Sequence, residues 1–215
     1  FMKKYYLENS LGIDIREESV CLTLLGKSLF KVELIASKYI PITFIDKENQ
    51  INEDHFIEQA NRFLMENDAW TENIVVSLPR SRLTLQSFEL PAPDRNSLDS
   101  MLKYELERHF SSDIDSFYYS NHITEKTTNQ YHIVCAAIKK DIANYYLKLL
   151  EKLNLKPTIL DISSFANLNL AWANEKSDES LSVIVDLSLN YIDICILNSR
   201  TLEFSRNIPI KNPNY

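Results

Sequence analysis

The sequence predicts an α/β fold made of two copies of a β-β-β-α-β plan, with a small α+β unit inserted in the first copy and the second copy incomplete. Three observations predict it. The stretches LGIDIREESVCLTLL (Leu11–Leu25) and SVIVDLSLNYIDICIL (Ser182–Leu197) each run β-like, reach an aspartate, turn tightly and run β-like again. Apolar residues recur at helical spacing over Asn52–Asn67, and a short buried-strand run, NIVVSL (Asn73–Leu78), follows. The block after Pro79 has a strand and helix rhythm of its own.

Leu11–Ile15, Val20–Leu25 and Leu29–Ile40 are rich in β-branched and apolar residues, with polar turns expected at Arg16–Ser19 and Gly26–Ser28. They read as three successive antiparallel strands. In the helix that follows, Phe56, Ile57, Ala60, Phe63 and Leu64 form the apolar stripe, and Asn52 or Asp54 is the expected N-cap. Ser81–Leu90 alternates as a strand and stops at Pro91-Ala92-Pro93. Ser97–Phe110 carries Leu98, Met101, Leu102 and Leu106 on one helical face. Phe117–Ile123 and Tyr131–Ile138 read as strands joined by the polar loop Thr124–Gln130, and Asp141–Leu153 as a helix. Thr158–Ile162 returns as a strand and Ser163–Ala173 as a short helix. Asn174–Ser180 (NEKSDES) has no apolar residue and reads as a linker. Leu181–Asp186, Tyr191–Leu197 and Thr201–Ile208 then repeat the opening pattern. The expected divisions are residues 1–80, an insert at 81–156, a return and linker at 157–180, and the start of a second domain at 181–215. That last piece is too short to bury a core of its own, so the second half reads as truncated.

Composition bounds the chemistry. A net charge of -7 and no Lys/Arg run argue against a nucleic-acid surface. No stretch approaches the ~20 apolar residues of a membrane span, and no signal peptide is expected. Phe1 stands ahead of Met2 and reads as foreign to the natural start. Cys21, Cys135 and Cys195 all lie in apolar runs and read as free thiols in a reducing compartment. Gly12 and Gly26 are the only glycines. Phosphate cradles need close backbone approach without a Cβ, so a P-loop and a G-x-G-x-x-G fingerprint are excluded.

The middle of the chain resembles a known family. VVSLPRSRLTLQSFELPAP (Val75–Pro93) is similar to the Leu-Pro-x-Ser … Leu-Pro segment of PilM-like proteins. LDSMLKYELERHF (Leu98–Phe110) resembles the helix after it, where Lys103-Tyr104-Glu105-Leu106-Glu107 stands for a Trp-Glu-x-Glu-like motif. His132–Ala166 resembles the strand–helix–strand return to the main sheet. The duplicated halves, each with an aspartate closing its first strand, resemble the actin-like (ribonuclease H-like) superfamily, and GspL of type II secretion shares the plan. The resemblance implies a cytoplasmic, non-catalytic scaffold peripheral to the inner membrane. Its implied partners are a PilN- or GspM-like membrane protein, through its N-terminal peptide, and the assembly motor ATPase. The alternative is an ATP-binding actin-like protein, nucleotide-gated or polymerising.

Relatives with intact ATP sites carry Asp-x-Gly-x-x-x-hydrophobic-Lys in the first hairpin and Asp-x-Gly-x-x-x-Thr in the second. Here Asp14 is followed by Arg16 at the glycine position and Cys21 at the lysine position. Asp186 is followed by Ser188 at the glycine position and Ile192 at the threonine position. A side chain at the glycine position stands where phosphate oxygens approach backbone amides. Glu17 and Glu18 add repulsion, on the order of 4 kcal/mol each at ~4 Å and an effective dielectric near 20. Arg16 offsets one of them. Asp14, Arg16, Asp186 and Ser188 are therefore candidate degenerate phosphate hairpins, with no ATP or magnesium expected, and the aspartates are expected to bond nearby backbone amides.

Other constellations carry less. His55, His109, His122 and His132 lack metal-ligand spacing. Ser163 and Ser164 beside Asp161 lack a nucleophile elbow and are expected to cap the following helix. Glu105 and Glu107 are two apart on a helix and do not face each other. Tyr118, Tyr119, Tyr145 and Tyr146 are candidates for a partner-binding groove, one of each pair being assigned to the core.

Overall fold

A computed structural model describes residues 6–41, 50–109, 113–126, 130–174, 181–188, 191–198 and 201–210. In chain order the elements are β1 (Glu8–Ile15), β2 (Ser19–Lys27), β3 (Val32–Pro41), α1 (Gln50–Glu66), β4 (Asn73–Leu78), β5 (Leu83–Leu90), α2 (Arg95–His109), β6 (Phe117–Lys126), β7 (Tyr131–Lys139), α3 (Lys140–Glu151), β8 (Ile159–Ile162), α4 (Ser163–Asn174), β9 (Leu181–Leu187), β10 (Tyr191–Asn198) and β11 (Thr201–Pro209). They form two compact units: Phe1–Pro79 with Tyr146–Ala171 and Ile210–Tyr215, and Arg80–Tyr145 with Trp172–Pro209.

The first unit is built on a five-stranded sheet in the order β3-β2-β1-β4-β8. β1 pairs antiparallel with β2, and β1, β4 and β8 run parallel. Strand alternation sends Leu11, Ile13 and Ile15 to the same face as Val20, Leu22 and Leu24, and all six are buried. Ile74 and Val76 extend that apolar face from β4. Lys38, which shares the face in β3, donates through Nζ to the Gln59 carbonyl of α1 at 3.3 Å. That bond lays α1 on this side, and Phe56, Ala60, Phe63 and Leu64 of α1 are buried. The opposite face of the same strands is polar, with Asp14, Cys21, Ser77 and Asp161.

The second unit holds two three-stranded sheets, β5-β7-β6 and β11-β10-β9, both antiparallel. Phe88, Leu90, Phe117, Tyr131, Ile133, Cys135 and Ala137 face one side of the first, and Leu98, Leu102 and Leu106 of α2 pack in the same core. The Cys135 thiol is pushed up to about 11 by burial and is inert. All three cysteines are free. In the other sheet Tyr191, Cys195 and Leu197 of β10 are buried, while Val183, Val185, Leu187, Phe204 and Ile208 are exposed.

Boundaries shift for physical reasons. The third strand starts at Val32 rather than Leu29, because the turn is made by Ser28–Lys31 and not by Gly26–Ser28: the Ser28 amide donates to the Lys31 carbonyl at 2.9 Å. α1 begins at Gln50, so Asn52 and Asp54 lie inside it and do not cap it. The cap that does form is on α2, where the Ser97 amide donates to Asp94 Oδ1 at 2.8 Å, and this bond holds the Asp94 carboxyl below its ordinary range. β5 is preceded by a 3-10 turn at Arg80–Arg82. The linker expected at Asn174–Ser180 lies, after Asn174, outside the described residues.

α1 and α3 end alike. Asp68 (φ 49) and Asn154 (φ 56) are the positive-φ residues among those described. The Ala69 amide bonds the Leu64 carbonyl at 2.9 Å and the Leu155 amide bonds the Leu150 carbonyl at 3.1 Å. These six-to-one bonds are Schellman closures, with Asp and Asn in the place glycine usually fills. Ala69 and Leu155 are buried beyond them, as the motif's apolar contact requires.

Candidate functional site

The two predicted hairpins close in the same way. The Arg16 amide donates to the Ser19 carbonyl at 2.8 Å, and the Ser188 amide donates to the Tyr191 carbonyl at 2.9 Å. Each amide at the position where relatives carry glycine is thus used inside its own turn. Neither Arg16 nor Ser188 has a positive φ, so neither of these two positions calls for glycine.

Asp14 does not bond the backbone amides expected of it. Its Oδ2 accepts from Arg16 Nε at 2.9 Å, an ion pair with both side chains roughly two-thirds or more buried. Its Oδ1 is buried with no hydrogen-bond partner among the described residues. The residue at the glycine position therefore neutralises the aspartate of the same hairpin.

Asp14 belongs to a row that the sequence alone did not reveal. Register pairs Asp14 with Ser77 and Ser77 with Asp161, so the three stand side by side at the C-terminal ends of parallel β1, β4 and β8. Ligands of open α/β sheets bind beyond this edge. Ser77 is 7% exposed and its Oγ has no hydrogen-bond partner among the described residues. Burial holds the Asp161 carboxyl above its ordinary value, and its bond from the Ile162 amide, 2.8 Å to Oδ1, pulls the other way. Ser163 opens α4 with a buried Oγ that also lacks a partner among the described residues, so the cap expected of it is not made. The legible signal is a polar residue near the C-terminal end of an otherwise apolar run: Ser77 in NIVVSL and Asp161 in ILDI.

Asp186 lies in β9 directly across from Asp193 of β10, with Asn207 of β11 on the far side. Facing aspartates repel, and Arg80 brings a cation to Asp193. Its Nε lies 3.9 Å from Asp193 Oδ1, and the side chains are 8% and 2% exposed. Arg80 also donates to the Leu83 carbonyl at 2.8 Å. Burial lowers the Arg80 pKa and the Asp193 charge opposes that shift. Sequence reading missed this pair; its signal is Asp193 inside YIDICIL.

Of the four tyrosines, Tyr118, Tyr119 and Tyr145 are exposed. Tyr146 is buried at 3% exposure. Tyr118 and Tyr119 are consecutive in β6 and point to opposite faces, Tyr119 to the face of the α2 core. Tyr118 turns toward α3, where its hydroxyl meets Asn144 Oδ1 at 3.4 Å and Lys140 Nζ lies 5.3 Å from its ring centroid. Tyr145 is half-exposed on α3. Glu105 is paired with Arg108 at 2.9 Å and Glu107 with Lys103 at 3.9 Å, ion pairs along the helix face, and His109 Nε2 stands 3.7 Å from Glu105. Among the described residues no three His, Cys, Asp or Glu side chains converge as a metal site.

A family model described as type IV pilus assembly protein PilM matches residues 12–210. Sequence comparison with curated proteins finds no match. Among solved structures, a PilM–PilN type IV pilus biogenesis complex is similar with a TM-score of 0.79 at 16% identity, covering 93% of this chain and 61% of that one. The cytoplasmic domain of EpsL, an inner membrane component of the Vibrio cholerae type II secretion system, gives a TM-score of 0.59 at 15% identity, covering 95% and 71%. A Bacteroides thetaiotaomicron protein with an actin-like ATPase fold gives 0.53 at 9% identity, covering 95% and 71%. The chain thus spans less than two thirds of the PilM chain it matches. The fold is actin-like.

Proposed function

The chain belongs to the family of the type IV pilus assembly protein PilM, and from that premise we propose that it is a non-catalytic scaffold of a pilus or type II secretion assembly platform. In this reading it works at the cytoplasmic face of the inner membrane, holds the cytoplasmic peptide of a PilN- or GspM-like membrane protein, and offers a surface to the assembly motor ATPase. The family match supports the platform role, and the similar PilM–PilN complex supports the choice of partner. Among the described residues no helix is long and apolar enough to cross a membrane.

The non-catalytic part rests on the Asp14–Arg16 pair. A nucleotide triphosphate with its metal ion needs a free carboxylate and open hairpin amides. Here the carboxylate is paired to a guanidinium and the amides of Arg16 and Ser188 close their own turns. These residues do not fit that cofactor. One observation favours the nucleotide-binding alternative: Ser77 Oγ and Asp14 Oδ1 are buried polar atoms with no hydrogen-bond partner among the described residues, beside Asp161.

The test is calorimetric titration with the N-terminal cytoplasmic peptide of the PilN-like protein from the same organism, with and without Mg-ATP. Saturable binding with the same affinity in both conditions is expected. Absence of peptide binding sinks the scaffold reading. A rise in melting temperature with Mg-ATP alone, about 2.7 kcal/mol of stabilisation at one hundred times Kd, revives the alternative.

A further inference from the structure

We propose that the exposed face of the β9–β10–β11 sheet, together with the open side of β9, is a docking site for a partner segment made of an amphipathic helix that runs on into a strand. The site is independent of the scaffold reading. The closing bonds of the two hairpins, Arg16 to Ser19 and Ser188 to Tyr191, fix which positions of the two sheets correspond. Val183, Val185 and Leu187 then stand where Leu11, Ile13 and Ile15 stand in the first unit. Ile192, Ile194 and Ile196 stand where Val20, Leu22 and Leu24 stand. All six first-unit residues are no more than 1% exposed, on the face that α1 covers. Their counterparts in β9 are 58%, 51% and 69% exposed, and those in β10 are half-buried. The same apolar face is built twice and covered once, and a contiguous exposed face of this kind marks an interaction site.

A cation names the occupant of the face as a helix. In the first unit Lys38 stands across from Leu22 and donates through Nζ to the Gln59 carbonyl of α1 at 3.3 Å. Arg206 stands across from Ile194, the counterpart of Leu22. Arg206 is exposed, and its side chain has no partner among the described residues. In the covered sheet the cation at this position bonds a helix carbonyl, and a guanidinium makes the same charge-assisted bond.

The edge adds the strand. β1 has β2 on one side and, on the other, β4, the parallel strand that follows α1 in the chain. β9 has β10 on one side and no strand on the other among the described residues. Its seven residues, LSVIVDL, include neither lysine nor proline, and its pairing with β10 runs without a register shift. Edge strands are commonly guarded by such devices, so this unguarded edge suits a strand partner. A helix on the face followed by a parallel strand at the edge is the order in which α1 and β4 cover the first sheet.

The experiment titrates the full chain into a fluorescent peptide of its own residues 50–78, the α1–β4 segment, because that helix and strand already fit the corresponding face. Saturable binding to wild type is expected, and binding at least about tenfold weaker to the V183K/V185K variant. Both valines are more than half exposed, so the variant is expected to keep the wild-type melting temperature, and L187K gives a second reading from the same face. No binding of the peptide to wild type overturns the proposal. Equal binding to wild type and to both variants overturns it too, because the peptide then sits on another surface or exchanges with α1 and β4 in the first sheet. A wild type that sediments as a dimer while the variants sediment as monomers also overturns it, and gives the face to a second copy of the chain.

Discussion

Asp161 shows how one partly buried carboxylate couples the site to pH. Burial raises its pKa from the ordinary 3.8, against the pull of the Ile162 amide. Between 3.8 and the raised native value the folded chain holds the proton and the unfolded chain does not. Stability therefore falls as pH rises through that window, and the charged carboxylate remains a cost at neutral pH. Asp161→Asn keeps the oxygen that accepts from Ile162. It is expected to raise the neutral-pH melting temperature and to lose its advantage below pH 3.8; a difference that does not change with pH would refute the assignment. Gly26 is the opposite kind of residue, fixed by sterics. A Cβ there would stand 2.6 Å from the Tyr6 ring and 2.8 Å from Ile35 Cδ1, and the Tyr6 hydroxyl bonds Glu33 at 3.2 Å. Gly12 has no such neighbour, since its Cβ would meet nothing nearer than the Thr23 carbonyl at 3.7 Å.

The elements themselves were largely legible. β1 alternates from Leu11 and β2 from Val20, β4 is a short run of mostly buried residues, and α2 carries its leucines at four-residue spacing, so parity and period place them. The repeat of strand, aspartate and turn also reappears, as two hairpins closed by equivalent hydrogen bonds. Ends and caps were less legible because hydrogen bonds of single residues set them: Ser28 and Lys31 moved the β2–β3 turn, and Asp94 capped α2. The site was half legible. Asp14 and Arg16 stand out in sequence, but the row through Ser77 and Asp161 depends on parallel pairing between strands far apart in the chain. At the helix ends, Asn154 occupies a left-handed position at φ 56. Asn154→Gly removes the Cβ penalty there and is expected to add from a few tenths to about 1 kcal/mol of stability, read from urea unfolding. A loss of stability would mean that the closure depends on the asparagine side chain.

Across the whole molecule, the pair Arg80–Asp193 joins a turn after β4 to a strand more than one hundred residues later, within one compact unit. Both side chains are buried, so removing one strands the other's charge. Asp193→Ala is expected to cost about 3–5 kcal/mol, whereas Arg80→Met with Asp193→Leu should return near wild type. Equal losses in the single and double variants, measured by denaturant unfolding, would show that the pair is not the source of the cost. The scarcity of glycine has a further consequence at this scale. Asp68 and Asn154 take left-handed positions, and neither Arg16 nor Ser188 has a positive φ. A chain with Gly12 and Gly26 as its only glycines has a denatured ensemble with fewer backbone states to surrender. At roughly 0.4–1 kcal/mol for each position where a side chain replaces glycine without strain, part of the folded state's advantage lies in conformations its unfolded chain never had.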